Sequence, residues 1–250
     1  MRYLVILIVS ALFLQASAGI LPFSVTADVT WNSKYVWRGL PCDEESVLQP
    51  SLFLSLTGLT AGVWGNVEMT DVNELTEEDD RMGLFTEIDY YLGYEIDLLL
   101  AGVGIGVGYY DYPNTEVESS AELYLTGYAK VPFSPTVTIY QGIKESEGMY
   151  VSVSGSQDLC SMSLAPAISM TPALTANLGW GNKVHNNYNF GVDKPAMTDL
   201  TLGLAAPVGI GPVVKLTPAL HYSMMLDEEI KELYEDDTNF WGGVSLTASI

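Results

Sequence analysis

Residues 101–110, AGVGIGVGYY, place glycine at every second position up to Gly108, and this strict period of two limits the fold more than any other feature. A helix repeats about every 3.6 residues and a strand every two. Read as a strand, Ala101, Val103, Ile105, Val107 and Tyr109 share one face, and Gly102, Gly104, Gly106 and Gly108 share the other. A dinucleotide-binding loop needs G-x-G-x-x-G between a strand and a helix. Counted from Gly104, the third glycine position holds Tyr109, and no helical pattern follows. The segment is therefore a strand with one apolar face and one bare face.

The same period recurs along the chain. From Ser24, Val25, Ala27, Val29, Trp31, Tyr35 and Trp37 oppose Thr26, Asp28, Thr30, Asn32, Lys34 and Arg38. Further on, Leu84, Ile88, Tyr90, Leu92 and Tyr94 oppose Phe85, Glu87, Asp89, Tyr91 and Glu95. Ala121, Leu123 and Leu125 oppose Glu122, Tyr124, Thr126 and Tyr128, and the C-terminus alternates through Phe240, Val244, Leu246, Ala248 and Ile250. The connections alternate too. Residues 57–62, 95–102, 131–135 and 207–212 are short and rich in Gly or Pro; 39–50, 71–83, 110–120, 144–148, 182–195 and 226–239 are the longer, mostly acidic ones.

Short turns at one end and long loops at the other predict an all-β, antiparallel up-and-down transmembrane barrel of about twelve strands, with both termini on the short-turn, periplasmic side. A soluble β-sandwich also alternates, but it buries its aromatic residues mid-strand. Here Trp31, Tyr35, Trp37, Tyr109, Trp180 and Tyr222 fall toward strand ends, the placement of an interfacial girdle. In a barrel the glycine face turns to a narrow lumen, where Tyr91 and Phe85 on one side and Tyr124 and Tyr128 on the other cover it. Pro218 falls inside a strand pattern, and a bulge is expected to accommodate it.

The N-terminus carries Arg2, an apolar run from Leu4 to Leu14 and the small-x-small site Ala16-Ser17-Ala18. Residues 1–18 are expected to be a cleaved signal peptide and 19–250 one barrel domain. The formal charge of −21 excludes nucleic acid as a partner, because phosphate binding requires a basic footprint. With 48% hydrophobic residues the chain is too apolar for a disordered acidic protein, so charge belongs in loops and apolar residues in strands. The expected surroundings are the lipid of the outer membrane, with small solutes as cargo and the oligomeric state open. Cys42 and Cys160 are assigned to a long loop and a short-turn region, hence to opposite sides, too far apart for the roughly 7 Å Cα spacing of a disulfide.

Residues 32–40, NSKYVWRGL, followed by a polar loop and repeated hairpins with acidic loops, resemble the TorF-like porin family, whose first strand carries a Y-V-aromatic-R-G signature. The resemblance covers the strand layout of most of the chain and implies a bacterial outer-membrane barrel and a channel, without catalytic residues. The chain departs from outer-membrane habit in ending on Ile250 rather than an aromatic residue.

Enzyme chemistry finds little support. There are two histidines, His185 in the polar loop NKVHNNYN and His221 on a lumen face, and neither G-x-S-x-G nor H-E-x-x-H occurs. No enzyme activity and no cofactor are expected. The acidic runs 71–81 and 227–237 do not fit the calcium-loop spacing and read as solvated surface. Leu226, Ile230, Leu233 and Tyr234 lie at helical spacing, so a short helix is expected over the mouth. The residues expected to line the pore are Lys34 and Arg38 at the outer mouth, with Glu68, Glu87, Asp89, Tyr91, Glu122, Tyr124, Tyr128, Lys215 and His221 along the wall. Asp89 and Glu122 lie nearest the middle, so the lining favours cations. The expected function is passive diffusion of small cationic or neutral solutes. The alternative is a non-conducting surface barrel whose acidic loops bind a partner or divalent cations.

Overall fold

Period-two segments become a closed wall when each finds partners on both sides, and twelve of them do. A computed structural model describes residues 23–71 and 81–250. The expected signal peptide and Glu74, Glu77, Glu78, Asp79 and Asp80 of the first acidic run lie outside them. Twelve strands form the wall: β1 (Phe23–Asn32), β2 (Val47–Leu56), β3 (Leu59–Glu68), β4 (Phe85–Asp97), β5 (Ala101–Asp111), β6 (Ser120–Ala129), β7 (Thr136–Lys144), β8 (Met149–Asp158), β9 (Ala173–Gly181), β10 (Ala196–Ala205), β11 (Val214–Met225) and β12 (Thr238–Ser249). Each pairs antiparallel with its successor, and β12 returns to β1 from Thr26↔Ser249 to Asn32↔Gly243. The seam ends in a reciprocal backbone pair: Val25 N–H donates to Ile250 O at 2.8 Å, and Ile250 N–H to Val25 O at 2.9 Å. The protein is a closed twelve-stranded up-and-down barrel, as the alternation predicts.

The outward face is a continuous apolar belt. Leu54, Leu92, Ile105, Leu125, Val153, Leu202, Leu220 and Val244 are 40–58% exposed on strands all around the wall. Apolar exposure on this scale marks a surface built to meet lipid rather than water. Trp31 and Tyr109 are also exposed on the outer face. Tyr35 and Trp37 are not part of a girdle: β1 ends at Asn32, and both residues lie in a separate short hairpin, Tyr35–Trp37 paired with Leu40–Asp43. Its own alternation mimics a continuing strand.

The bare face of β5 meets the lumen, and side chains of the neighbouring strands, together with its own Tyr110, cover it. Tyr128 overlies Gly102, Tyr124 overlies Gly106, and Tyr91 and Tyr110 meet at Gly108. A Cβ at Gly106 would overlap the Tyr124 hydroxyl and lie 2.6 Å from the Leu92 carbonyl oxygen. Phe85 does not join this cover. The register shifts between Asn66 and Val67, so Phe85 pairs with Val67 and turns outward over Gly65, with Thr86 taking the inward place. One extra residue suffices to reverse a side chain's face.

Pro218 needs no bulge. The β11–β12 register runs unbroken from Val214↔Ala248 to Met224↔Thr238. The Pro218 carbonyl accepts from Ala206 N–H at 2.9 Å, on the side where β10 has already ended at Ala205. A strand residue's N and C=O face the same neighbour, so the proline nitrogen faces Ala206, one residue past the end of β10, and the one reciprocal bond it cannot make falls at the edge of that ladder.

The connections are less regular than the sequence suggests. Residues 57–58 make a two-residue turn with Thr57 at φ 46° and Gly58 at φ 86°, the conformation a type I′ hairpin requires. Residues 145–148, expected as a long acidic loop, form a tight connection. At the short-turn end, residues 159–172 are long, and the short strands Met162–Ala165, Ile168–Met170 and Val208–Ile210 extend the sheet beyond the barrel beside β11. Cys160 lies in that extension and Cys42 in the 33–46 connection at the opposite end; both are free and exposed.

Replacing Gly106 by Val forces a side chain into the Tyr124 ring and the backbone, whereas Gly127 has nothing within 4 Å of its outward Cβ position. Overpacking of this kind costs about 1–3 kcal/mol. Gly106→Val should therefore lower the denaturant midpoint of the barrel in detergent micelles, and Gly127→Val should leave it unchanged or raised.

Candidate functional site

The lumen is crossed by the chain's own first long connection, residues 33–46. Its hairpin turns at Arg38 (φ 48°) and Gly39 (φ 84°). A Cβ on Gly39 would lie 2.8 Å from Asp199 Cβ and 3.0 Å from Met225 Sδ, so the tip abuts β10 and β11. At the other end of the hairpin, Tyr35 packs against Trp64 of β3 with the rings tilted by 53° and their centroids 5.6 Å apart, and its hydroxyl donates to Glu87 of β4 at 3.0 Å. The hairpin thus reaches from one wall to the opposite one.

Arg38 fastens it from within. Its two terminal nitrogens donate to the two oxygens of Glu122 at 2.8 and 2.7 Å, a planar fork. Tyr110 donates to the same carboxylate at 3.1 Å. The guanidinium carbon lies 4.3 Å from the Trp37 ring centre, 4.6 Å from Tyr140 and 4.3 Å from Tyr150. The two charged side chains are 8% and 11% exposed. Desolvating such a pair is costly unless its geometry is good and its remaining valences are filled, and here rings and hydroxyl fill them. Arg38 was expected at the outer mouth and Glu122 near the middle of the wall; Glu122 is the third residue of β6 from its long-loop end, so the two meet toward that end of the lumen, buried rather than open.

Two helices lie over the hairpin. Helix α1 (Lys183–Phe190) starts at Asn182, whose side chain accepts from His185 N–H at 2.8 Å, and ends at Gly191 in the left-handed conformation. Helix α2 (Glu228–Lys231) places Ile230 against Phe190, Val192 and Met225, with Leu40 of the hairpin and Tyr234 beside it. The helical spacing read in this segment therefore does mark a helix. The polar run expected as a loop is a helix too, and its capping pair Asn182 and Gly191 was the available signal. His185 is buried at 2% exposure, its ring centre 5.2 Å from Tyr150. Burial, and secondarily the Arg38 charge, lower its pKa to about 3. Lys194 ties the two helical segments together through Asp227 at 3.1 Å and Glu229 at 2.8 Å.

The other expected lining residues distribute along the lumen. Lys34 bonds Glu44 at 2.9 Å and Asn239 at 3.0 Å near the long-loop end. Glu68 is buried on the inner face of β3. Glu87 and Asp89 point inward two residues apart on β4, and Tyr91 donates to Asp89 at 2.7 Å. Tyr124 covers glycines. Tyr128 donates to Glu95 at 2.7 Å and Asp97 at 2.9 Å toward the short-turn end. Lys215 faces Thr247 across the β11–β12 ladder, and His221 stacks on Trp241, centroids 4.9 Å apart. Short polar pairs fill much of the remaining inner face: Thr126 with Thr138 at 2.9 Å, Thr201 with Ser223 at 3.0 Å, Ser152 with Asn177, and Thr247 with Asp28 at 2.7 Å. Between the hairpin and the β3–β6 wall lies a cavity of about 640 Å³, bordered by Tyr35, Glu68, Glu87, Tyr110 and Glu122.

Glu122→Gln leaves a buried guanidinium without its anion, a loss of about 3–5 kcal/mol in such pairs; the variant's unfolding midpoint in micelles should fall accordingly. His185 supplies a pH test. Its folded pKa lies below the unfolded value of about 6.5. The native state therefore resists protonation, and its stability is full above that value and declines as pH falls toward 3. Limited proteolysis of residues 182–195 should quicken between pH 7 and 4, and His185→Gln should flatten that dependence.

Comparison with curated proteins finds no match. Among solved structures, the KdgM porin in complex with disordered oligogalacturonate is similar at 9% identity and a TM-score of 0.51, over 91% of this chain and 99% of that one. The COG4313 outer membrane channel from Pseudomonas putida F1 aligns at 12% identity and a TM-score of 0.49, over 93% of this chain and 97% of that one. At such identities the first likeness shows a shared barrel fold. By sequence, the model of a bacterial family of unknown function, Gcw_chp, matches residues 16–217, and the chain belongs to that family.

Proposed function

We propose that the protein is a bacterial outer-membrane channel for passive diffusion of small cationic or neutral solutes, constricted by its own 33–46 hairpin. The observation that carries this reading is a closed barrel with an apolar outer belt and a polar lumen crossed by one loop. The N-terminal export pattern and the TorF-like signature at residues 35–39 agree with it. The sign of the lumen supports cations. Asp28, Glu87, Asp89, Glu95 and Asp199 face inward, while Arg38 is neutralised by Glu122, Lys34 is paired with Glu44 and Lys215 remains as a cation near the short-turn end. The similar porin is named for a complex with oligogalacturonate, a polyanion. An acid-lined wall does not suit that cargo, so only the barrel is carried over.

The hairpin across the lumen favours a second reading, a non-conducting surface barrel whose acidic loops bind a partner. Among the described residues, no group of three or more His, Cys, Asp or Glu side chains is placed to hold a metal ion, so a divalent cation is the weaker form of that reading.

Refolded protein in a planar bilayer should conduct with a reversal potential favouring cations. Asp89→Asn should weaken that preference, most at low salt where screening is least. A wild type without conductance would sink the channel reading in favour of the surface barrel.

A further inference from the structure

The groups that hold Arg38 belong mostly to the barrel wall, not to the hairpin that carries it. Glu122 stands on β6, Tyr140 on β7 and Tyr150 on β8, with Tyr110 of β5 donating to the Glu122 carboxylate. The strand ladder sets their spacing: Tyr124↔Tyr140 and Tyr140↔Tyr150 are register partners, and the rings of the second pair lie 6.1 Å apart. The wall thus presents one carboxylate able to take both edges of a planar cation, between two aromatic faces 4.6 and 4.3 Å from the cation's centre. Fork geometry and stacking together select a guanidinium; an ammonium meets the carboxylate as a point charge and has no plane to stack. Glu122 is 8% exposed, a burial that strongly favours an occupied site. Of the three rings around the cation, only Trp37 travels with the hairpin.

We propose that Glu122, Tyr140 and Tyr150 form a guanidinium-binding site in the lumen wall, that Arg38 fills it as an internal ligand, and that solutes bearing a guanidinium group compete for it. The consequence for transport, selection of guanidinium solutes by displacement of the hairpin, rests on the channel reading; binding itself does not. A tethered ligand acts at an effective concentration on the order of millimolar or more, so the wild-type site is closed to dilute solute.

The test uses the full mature chain refolded in detergent micelles, with thermal unfolding read by the heat-dependent gel shift of the barrel. Arg38→Ala is titrated with methylguanidinium chloride, and in parallel with methylammonium chloride, at matched ionic strength. Methylguanidinium in the range on the order of millimolar should raise the unfolding temperature of Arg38→Ala and methylammonium should not. Wild type and the Arg38→Ala/Glu122→Gln double variant should respond to neither. If Arg38→Ala is not recovered folded, Arg38→Met, which keeps much of the side chain's length and leaves Glu122 without a tethered cation, carries the same comparison. Equal response to both cations, equal response in the wild type, or no response in the single variant overturns the proposal. Binding is read here without conductance: a protein that binds and does not conduct counts against the channel alone, and one that conducts and does not bind counts against this site alone.

Discussion

Closure of the strand ladder is the constraint from which the other features follow. In hydrocarbon an unpaired backbone N–H or C=O costs several kcal/mol, so a sheet there cannot keep an edge. The β1–β12 pairing, finished by the reciprocal Val25–Ile250 bonds, removes it. Once the sheet is closed, period two does the sorting: each odd or even set of side chains must meet either lipid or lumen. With twelve strands the interior is too wide to fill from the wall alone and too narrow to leave every inward position large. The glycine face of β5 under Tyr124 and Tyr128 is one consequence, and a hairpin drawn inward is the other.

That hairpin exchanges water for a set of directed contacts. A buried Arg–Glu pair by itself is weak evidence of stabilisation, because desolvation offsets the attraction. Here the carboxylate takes the fork of Arg38 and the Tyr110 hydroxyl, while three rings meet the guanidinium. The charges are compensated where they lie. The helices then bury the hairpin's apolar side, with Leu40 next to the Phe190, Val192, Met225 and Ile230 cluster. Neutral His185 packs on Tyr150, one of the rings facing Arg38, so the outer cover and the latch share a side chain.

Much of this architecture was legible in the chain. The twelve strands, the inward glycines, the helix around Ile230 and the separation of the cysteines all follow from local pattern. The departures have local causes as well. Tyr35 and Trp37 continue the alternation of β1, and a hairpin alternates like a strand, so nothing before folding separates them from a girdle. Phe85 changes face because one residue slips at Asn66–Val67, a shift that leaves composition and period untouched. Pro218 sits in a strand without a bulge because its neighbour β10 stops at Ala205, and the end of a neighbour is not written at the proline itself. His185 looked like a loop residue because its helix is short and polar, with only its two caps to announce it.

The sequence by itself determined a barrel: strands of period two joined alternately by short turns and longer, mostly acidic connections leave few other folds. It also named Arg38 and Glu122 as polar residues on inward-facing patterns. Only the tertiary structure decided that they meet. They stand far apart in the chain, one on a loop and one on the sixth strand, and their contact depends on how far that loop swings into the lumen. Strand pairing is a near-neighbour property that a period can encode. The path of a loop through an enclosed space is set instead by the whole wall, through Glu87 at one end, Asp199 and Met225 at the other, and the Tyr140–Tyr150 rings between them.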